Sequence, residues 1–486
     1  MSEAVVHPGR RARIVAIHPA VLLVGVWAFA VPAWYFASAN VLDASISGER
    51  AGSDHAFLFF SGCLAAFAAG ALLAGLAWPG RKPRGLVAAE YPGMGLVAIA
   101  SSGLVLVGGA VWLLRIVIAV GSPRTLLDLF LSGYSVADLK YSVFIPAQLP
   151  PVTTLVHLAP AAASMLLVQR KLAGWKRTHW ILMLGLVGLA IVRTLVLAER
   201  FAGLGLIASV CITLLLTADR LQPKRVLVVS VSAAALLWFA WSAGEFSRSW
   251  MDSRDGDSTR FTASNFRASL SYSQDRLGAY LFTAINNGLI IVDKSPGQQF
   301  PANFAPVLAR AGVPGLTGEI GAGDLYTNEL SREFTGESMP GKFYLDARDL
   351  GIILAAVYGV IFGLAWRAAS LASPAGIVLY AALSHVLIDS YRSAYLFDLQ
   401  GVAGFAAAAL VLIGSSRVRK RHPVPGASRP QTRPSRRPNF VLDWSRGAKP
   451  QAASGLRRPG SAPQTPTSDT ILRLLCRAAG VRSQGR

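Results

Sequence analysis

Ten runs of apolar residues, each about as long as a membrane crossing, set the terms on which this chain can fold. A helix needs roughly 17–25 apolar residues to traverse about 30 Å of hydrocarbon. The runs fall at about 14–38, 55–78, 94–120, 151–169, 179–197, 202–218, 226–244, 350–367, 376–392 and 396–416. Charge is correspondingly scarce: Asp, Glu, Lys and Arg make up 15% of the chain, against about 25% in soluble domains. The expectation is an all-α polytopic membrane protein with about ten transmembrane helices.

Clusters of Lys and Arg beside apolar spans mark the cytoplasmic side. Arg10, Arg11 and Arg13 precede the first run, and Arg81-Lys82-Pro83-Arg84 separates the second from the third. Further basic connectors stand at 170–177, 219–225 and 417–421, and a ten-span count puts all of them on one side. Both termini are then cytoplasmic. The first run is too long for a signal peptide and has no small-residue cleavage site after it, so it reads as a retained span. Residues 1–244 carry spans one to seven, 245–349 form a large extracytoplasmic loop, 350–416 carry spans eight to ten, and 417–486 form a tail. Within the first region, the connector 121–150 places Leu126, Leu127, Leu129, Phe130 and Leu131 beside Asp128 and Asp138, the pattern of an interfacial or re-entrant helix.

The tail has 16 Lys/Arg against two acids, Asp443 and Asp469, so +14 of the formal +21 lies there. Rich in Pro, Ser, Gly and Gln, it lacks the apolar residues for a core and reads as disordered. A polybasic segment beside a bilayer rests on anionic lipid, and no nucleic-acid partner is expected. Cys63 and Cys211 lie inside apolar runs and Cys476 in the tail, which leaves the large loop without a disulfide. The seven histidines are scattered, no His/Cys/acid cluster has metal-ligand spacing, and no nucleotide-binding glycine motif is present. No metal or cofactor is therefore expected.

Polar chemistry collects at one set of helix ends. His385 and Asp389 lie four residues apart and share a helical face, with Arg392 a turn further on. For His385 the plain alternative is a packing hydrogen bond. Glu199 and Arg200 occupy a tight hairpin between the fifth and sixth runs, at the same interface. In the loop, Arg267, Tyr272, Arg276 and Tyr280 would align along one side of a helix, whether for packing or for binding. Guanidinium groups grip phosphate through paired donors, and aromatic faces stack on sugar rings.

The stretch Tyr326-Thr327-Asn328, Gly336 and then Gly341-Lys342-Phe343-Tyr344-Leu345-Asp346-Ala347-Arg348-Asp349-Leu350-Gly351, running into an apolar helix with Gly359 and Gly363, resembles the bacterial oligosaccharide repeat-unit polymerases, the O-antigen polymerase-like family. Glu199-Arg200 resembles that family's arginine ahead of a helix, and Asp389-Ser390-Tyr391-Arg392-Ser393 its late Arg-Gly-Asp/Ser element. The likeness covers about residues 180–410, with Ala347-Arg348 inserted between acid and glycine and Ser393 where glycine is frequent. It implies a GT-C-like fold in the bacterial cytoplasmic membrane. Its outer face would join polyprenyl-diphosphate-linked oligosaccharides into a cell-surface polysaccharide, without a nucleotide sugar or a metal and alongside polysaccharide-assembly proteins.

Under that reading Arg200, Arg276 and Arg392 bind the diphosphate, while Tyr280, Tyr344 and His385 complete the substrate site. One of Asp346, Asp389 or Glu199 acts as base towards the acceptor hydroxyl. O-antigen ligase-like enzymes carry a histidine in the large outer loop, whereas residues 245–349 contain none. A polyprenyl-phosphate-sugar transferase calls for paired acids in the first outer loop, where Asp43, Glu49 and Asp54 are widely spaced. A transporter or flippase of lipid-linked glycans calls for inverted repeats, and none is visible.

Overall fold

In the computed structural model the described residues are 16–36, 51–76, 91, 93–131, 139–149, 152–195, 199–218, parts of 231–242, 263–297, 299–305, 307, 336–394 and 396–419. Every regular element among them is helical. In chain order they are α1 (Pro19–Tyr35), α2 (Asp54–Leu76), α3 (Met94–Val120), α4 (Pro123–Leu131), α5 (Ala159–Ala173), α6 (Arg177–Leu195), α7 (Arg200–Thr217), α8 (Ala263–Lys294), α9 (Met339–Ala347), α10 (Gly351–Ser370), α11 (Pro374–Ile388) and α12 (Leu399–Arg419). A π turn at Lys140–Phe144 and 3-10 turns at Thr153–Leu158 and Arg348–Leu350 complete the set.

The helices follow the apolar runs, with the seventh run described only in parts. Among the described residues, Asp54–Gly75, Met94–Val120 and Met339–Ser370 are long and apolar enough to cross a membrane, and α1, α7, α11 and α12 supply shorter apolar helices. Their outward faces are greasy. Leu96, Leu104, Val107, Leu114 and Ile118 of α3, and Trp180, Ile181, Leu184 and Ile191 of α6, are all exposed. A surface of that kind calls for lipid rather than water. The connector after α3 does hold a short helix, α4. Arg10, Arg11, Arg13, the connector 81–84 and the tail from 420 onward lie outside the described residues.

Polar side chains start several helices where the sequence offers them. The Ser53 hydroxyl accepts the Ala56 amide at 3.2 Å ahead of α2, and the His18 ring accepts the Ala20 amide at 3.2 Å ahead of α1. Such contacts satisfy donors that the first helical turn leaves open. The tightest crossing joins α2 to α10. A Cβ on Gly359 would collide with the Phe67 carbonyl, and one on Gly70 with that of Ala356, so the two backbones touch. In lipid, helices associate through such close packing of small residues.

Helix α11 lies at the centre. From Pro374 to Leu387 every residue except Leu379 is buried, and α1, α5, α7, α10 and α12 pack around it. The described part of the stretch 245–349, read as a large extracytoplasmic loop, includes a helix that packs into this core. Within α8, residues 279–292 are all buried, packed against α1, α2 and α9. Asn286 and Asn287 interrupt the apolar character of this segment, and the bundle satisfies both. Asn286 Oδ1 accepts from the Ala51 amide at 2.8 Å and from Trp34 Nε1 at 3.5 Å, while Asn287 Nδ2 donates to the Gly336 carbonyl at 3.1 Å. Buried amides with partners are tolerated where unpartnered ones are costly.

Candidate functional site

The buried helix α11 ends at Asp389, and the chain turns immediately. The Arg392 and Ser393 amides both donate to the Asp389 carbonyl, at 2.9 and 3.1 Å. This turn is pinned from two sides. The Arg392 carbonyl accepts the Glu337 and Ser338 amides at 3.0 and 2.9 Å, and the Ser390 carbonyl accepts that of Met339 at 2.9 Å. From α1, Trp27 Nε1 donates to the Ser390 hydroxyl at 3.1 Å. The result is a rigid seat at the junction of α1, α8, α9 and α11.

The Arg392 guanidinium lies 4.8 Å from the centre of the Tyr280 ring and 3.8 Å from Asp389 Oδ2. Its stem crosses Gly336, where a Cβ would come within 2.7 Å of Arg392 Cγ. Asp389 is 1% exposed, and neither of its oxygens receives a hydrogen bond from the described residues. A carboxylate in that state is costly, and a polar ligand that donates to it removes the cost. Alongside lies a second charged pair, with Lys342 Nζ 3.1 Å from the carboxylate of the buried Glu337.

A largely apolar cavity of about 710 Å³ lies beside this polar group and shares Tyr280 with it. Val26 and Phe29 of α1, Trp238, Trp241, Tyr280 and Tyr391 are among its walls. Tyr280 belongs to both environments: Trp241 meets its ring edge-on at 5.2 Å, while Arg392 rests on it. Through Tyr280 the hydrocarbon-sized space adjoins a guanidinium, with the buried Asp389 carboxylate behind it.

The remaining candidates separate. Asp346 is equally buried, but its carboxylate accepts the Asn303 amide at 2.9 Å, Asn303 Nδ2 at 3.0 Å and the Phe304 amide. It fastens α9 to the turn at 299–305. Tyr344 packs in the core, edge-on to Phe59 at 5.1 Å and His55 at 6.1 Å. Arg267, Tyr272, Arg276 and Tyr280 do share one helix, α8, and of these only the Tyr280 side chain is described. Arg200 opens α7, and its side chain likewise lies outside the described residues.

Glu199 and His385 come together around a residue that the sequence reading passed over. Arg193 is buried, donates through Nε and Nη2 to Glu199 Oε2 at 2.9 and 2.7 Å, and reaches the Val156 carbonyl at 3.1 Å. It borders a small hollow of about 20 Å³ with His157, His385 and Gln400, and His385 Nε2 lies 3.0 Å from Gln400 Oε1. As the one charged residue inside the fifth apolar run, Arg193 carried a usable signal, since charges at depth are expensive unless paired.

No family model matches the chain, and no curated protein or solved structure does either. Among the described residues, no group of three or more His, Cys, Asp or Glu side chains is placed to hold a metal ion.

Proposed function

We propose that this chain is an oligosaccharide repeat-unit polymerase with a ten-span, GT-C-like fold, which transfers a growing glycan from polyprenyl diphosphate to a lipid-linked acceptor at the outer face of a bacterial cytoplasmic membrane. The observation that supports it best is Asp389, a buried carboxylate with no hydrogen bond from the described residues, beside Arg392, which rests on the Tyr280 ring in the wall of an apolar cavity. The cavity accepts part of the lipid chain, and the headgroup lies by Tyr280 and Arg392. Asp389 takes the proton of the acceptor hydroxyl, whose oxygen bonds to the anomeric carbon of the donor. The bond from that carbon to the diphosphate breaks, and the leaving oxygen keeps the electron pair. Arg392, with Arg276 on the Tyr280 helix and Arg200 as further guanidinium candidates, holds the developing charge. Asp389 is preferred as base because Asp346 and Glu199 are already engaged, the first by three donors and the second by Arg193. The resemblance of residues 180–410 to the polymerase family points the same way.

The test is polymer formation in membranes that carry equal amounts of each variant and receive the lipid-linked repeat unit. Asp389→Asn abolishes polymer. Arg392→Ala lowers the rate about 10²–10³-fold, the usual loss on removing a donor to developing negative charge. Arg392→Lys is nearly as damaging, because ammonium lacks the planar fork. Parental rates in both Asp389→Asn and Arg392→Ala overturn the reading. Translocation of the lipid-linked unit without polymer assigns the cavity to transport instead.

A further inference from the structure

Far along the chain from the Asp389 seat, the connector between α5 and α6 builds a second polar surface. Helix α5 ends at Gly174, whose φ of +79° suits glycine and whose amide closes on the Arg170 carbonyl at 2.9 Å. Trp175 follows, then Lys176, and α6 begins at Arg177. The Trp175 ring stacks on Trp180 with centroids 4.3 Å apart and planes 22° apart. The Arg170 guanidinium lies 5.6 Å from the Trp175 ring centre, and the His179 ring meets the same indole at 6.5 Å. His179 is buried and locks the turn, its Nδ1 accepting the Lys176 amide at 3.2 Å while its own amide donates to the Lys176 carbonyl at 3.0 Å.

Around this fixed aromatic pair stand the exposed side chains of Arg170, Lys171, Lys176 and Arg177, with Trp180 itself 52% exposed. From 139 to 198 the chain contains no Asp or Glu, so none of its own residues nearby in sequence offsets that charge. The Trp175 indole N–H is covered and finds no acceptor among the described residues. Exposed tryptophan beside clustered basic residues is the chemistry of the headgroup layer, with the rings among the glycerol groups and the cations on phosphate.

We infer that the α5–α6 connector is a binding site for the phosphate of an anionic phospholipid headgroup, held by Arg170, Lys176 and Arg177 over the Trp175–Trp180 pair. The inference rests on the membrane character of the helices and is independent of the polymerase reading. An anionic lipid seated here fixes the depth of α5 and α6 in the bilayer.

The experiment uses the full chain, without glycan substrate, in phosphatidylcholine nanodiscs doped with phosphatidylglycerol or cardiolipin. Retained lipid is counted by native mass spectrometry, and thermal shift is followed in parallel. Doping raises the melting temperature and leaves anionic lipid bound to the parental chain. Lys176→Gln with Arg177→Gln, both exposed positions, weakens retention roughly fivefold per charge removed. Trp175→Ala removes the ring that Trp180 stacks on and Arg170 lies over, and it also lowers retention while the protein stays folded. The basic tail is common to all variants, so the differences between them belong to the connector. Equal retention by parental and Gln variants overturns the site. Protection by inorganic phosphate equal to that by phosphatidylglycerol overturns the lipid assignment.

Discussion

Replacing Gly336 with alanine probes how firmly Arg392 is aimed. The new Cβ would lie 2.7 Å from Arg392 Cγ and 3.1 Å from Ala284 Cβ, where carbon atoms settle at about 3.5–4.0 Å. Something has to move by about 1 Å. The Arg392 backbone resists, because two amides hold its carbonyl at 2.9 and 3.0 Å, and Ala284 sits in the buried half of α8. The displacement therefore passes along the flexible stem to the guanidinium, which loses its seat 4.8 Å from the Tyr280 ring and 3.8 Å from Asp389. A misplacement of about 1 Å at a reacting centre costs on the order of 10²-fold in rate, about 2.7 kcal/mol. The assay is polymer formation at equal membrane levels, with the apparent melting temperature of the solubilised protein measured beside it. The expected outcome is a large loss of rate with little change in melting. In an Arg392→Ala background, Gly336→Ala should then add almost nothing, because the two act through one side chain. A parental rate in the single variant, or fully additive losses in the double, refutes the positioning argument.

Asp346→Asn leaves the Asn303 and Phe304 donors facing a weaker acceptor and an amide N–H, so it should destabilise the fold by about 2–3 kcal/mol and lower the apparent melting temperature; lost activity at unchanged melting would make Asp346 catalytic instead. Arg193→Met strands Glu199, and breaking such a pair costs about 3–5 kcal/mol when both groups are buried; with Glu199 25% exposed the loss should lie below that range, and a second change, Glu199→Leu, should recover much of it. Gly359→Val drives a branched side chain onto the Phe67 carbonyl and should remove folded protein from the membrane, whereas Gly188→Val, where a Cβ meets none of the described residues within 4 Å, should not; equal yields of the two would show that the α2–α10 crossing does not depend on close backbone contact.

The helices were legible because a crossing segment must be apolar for its whole length, and length alone located most of them. The buried half of α8 was hidden by Asn286 and Asn287, which lower its apolar character and find partners in distant parts of the chain, Trp34, Ala51 and Gly336 among them. Asp389 with Arg392 could be read as charges closing an apolar run. Their companion Tyr280 could not, since that pairing spans more than a hundred residues and leaves no periodic trace. Gly336 stood within the family-like motif, but its physical role appears only when the Arg392 stem is seen to cross it. The engagement of Asp346 was equally invisible, because two of its three donors are backbone amides, which every sequence possesses.

Asp346 and Asp389 pose the sharpest contrast in the molecule. Both are carboxylates, both are 1% exposed, and they end neighbouring elements of the same bundle. One accepts three hydrogen bonds and the other none from the described residues. A buried carboxylate loses its hydration, and hydrogen bonds are the ordinary compensation. Asp346 has that compensation and serves the fold. Among the described residues Asp389 has only Arg392 at 3.8 Å, beyond hydrogen-bond reach, so it weakens the fold that holds it. Removing such a charge should therefore stabilise the protein and, on the polymerase reading, end turnover, the usual trade where a site is built for a ligand. Asp389→Asn keeps the volume, and Arg392 keeps its place on the Tyr280 ring. The expected result is an apparent melting temperature a few degrees above the parental protein, with no polymer. Asparagine still buries a polar group but a neutral one, and the lower cost of burying it sets the direction of that shift. A variant that melts well below the parental protein would mean that Asp389 anchors the turn at 389–393, and the case for it as the reacting carboxylate would fall with that result.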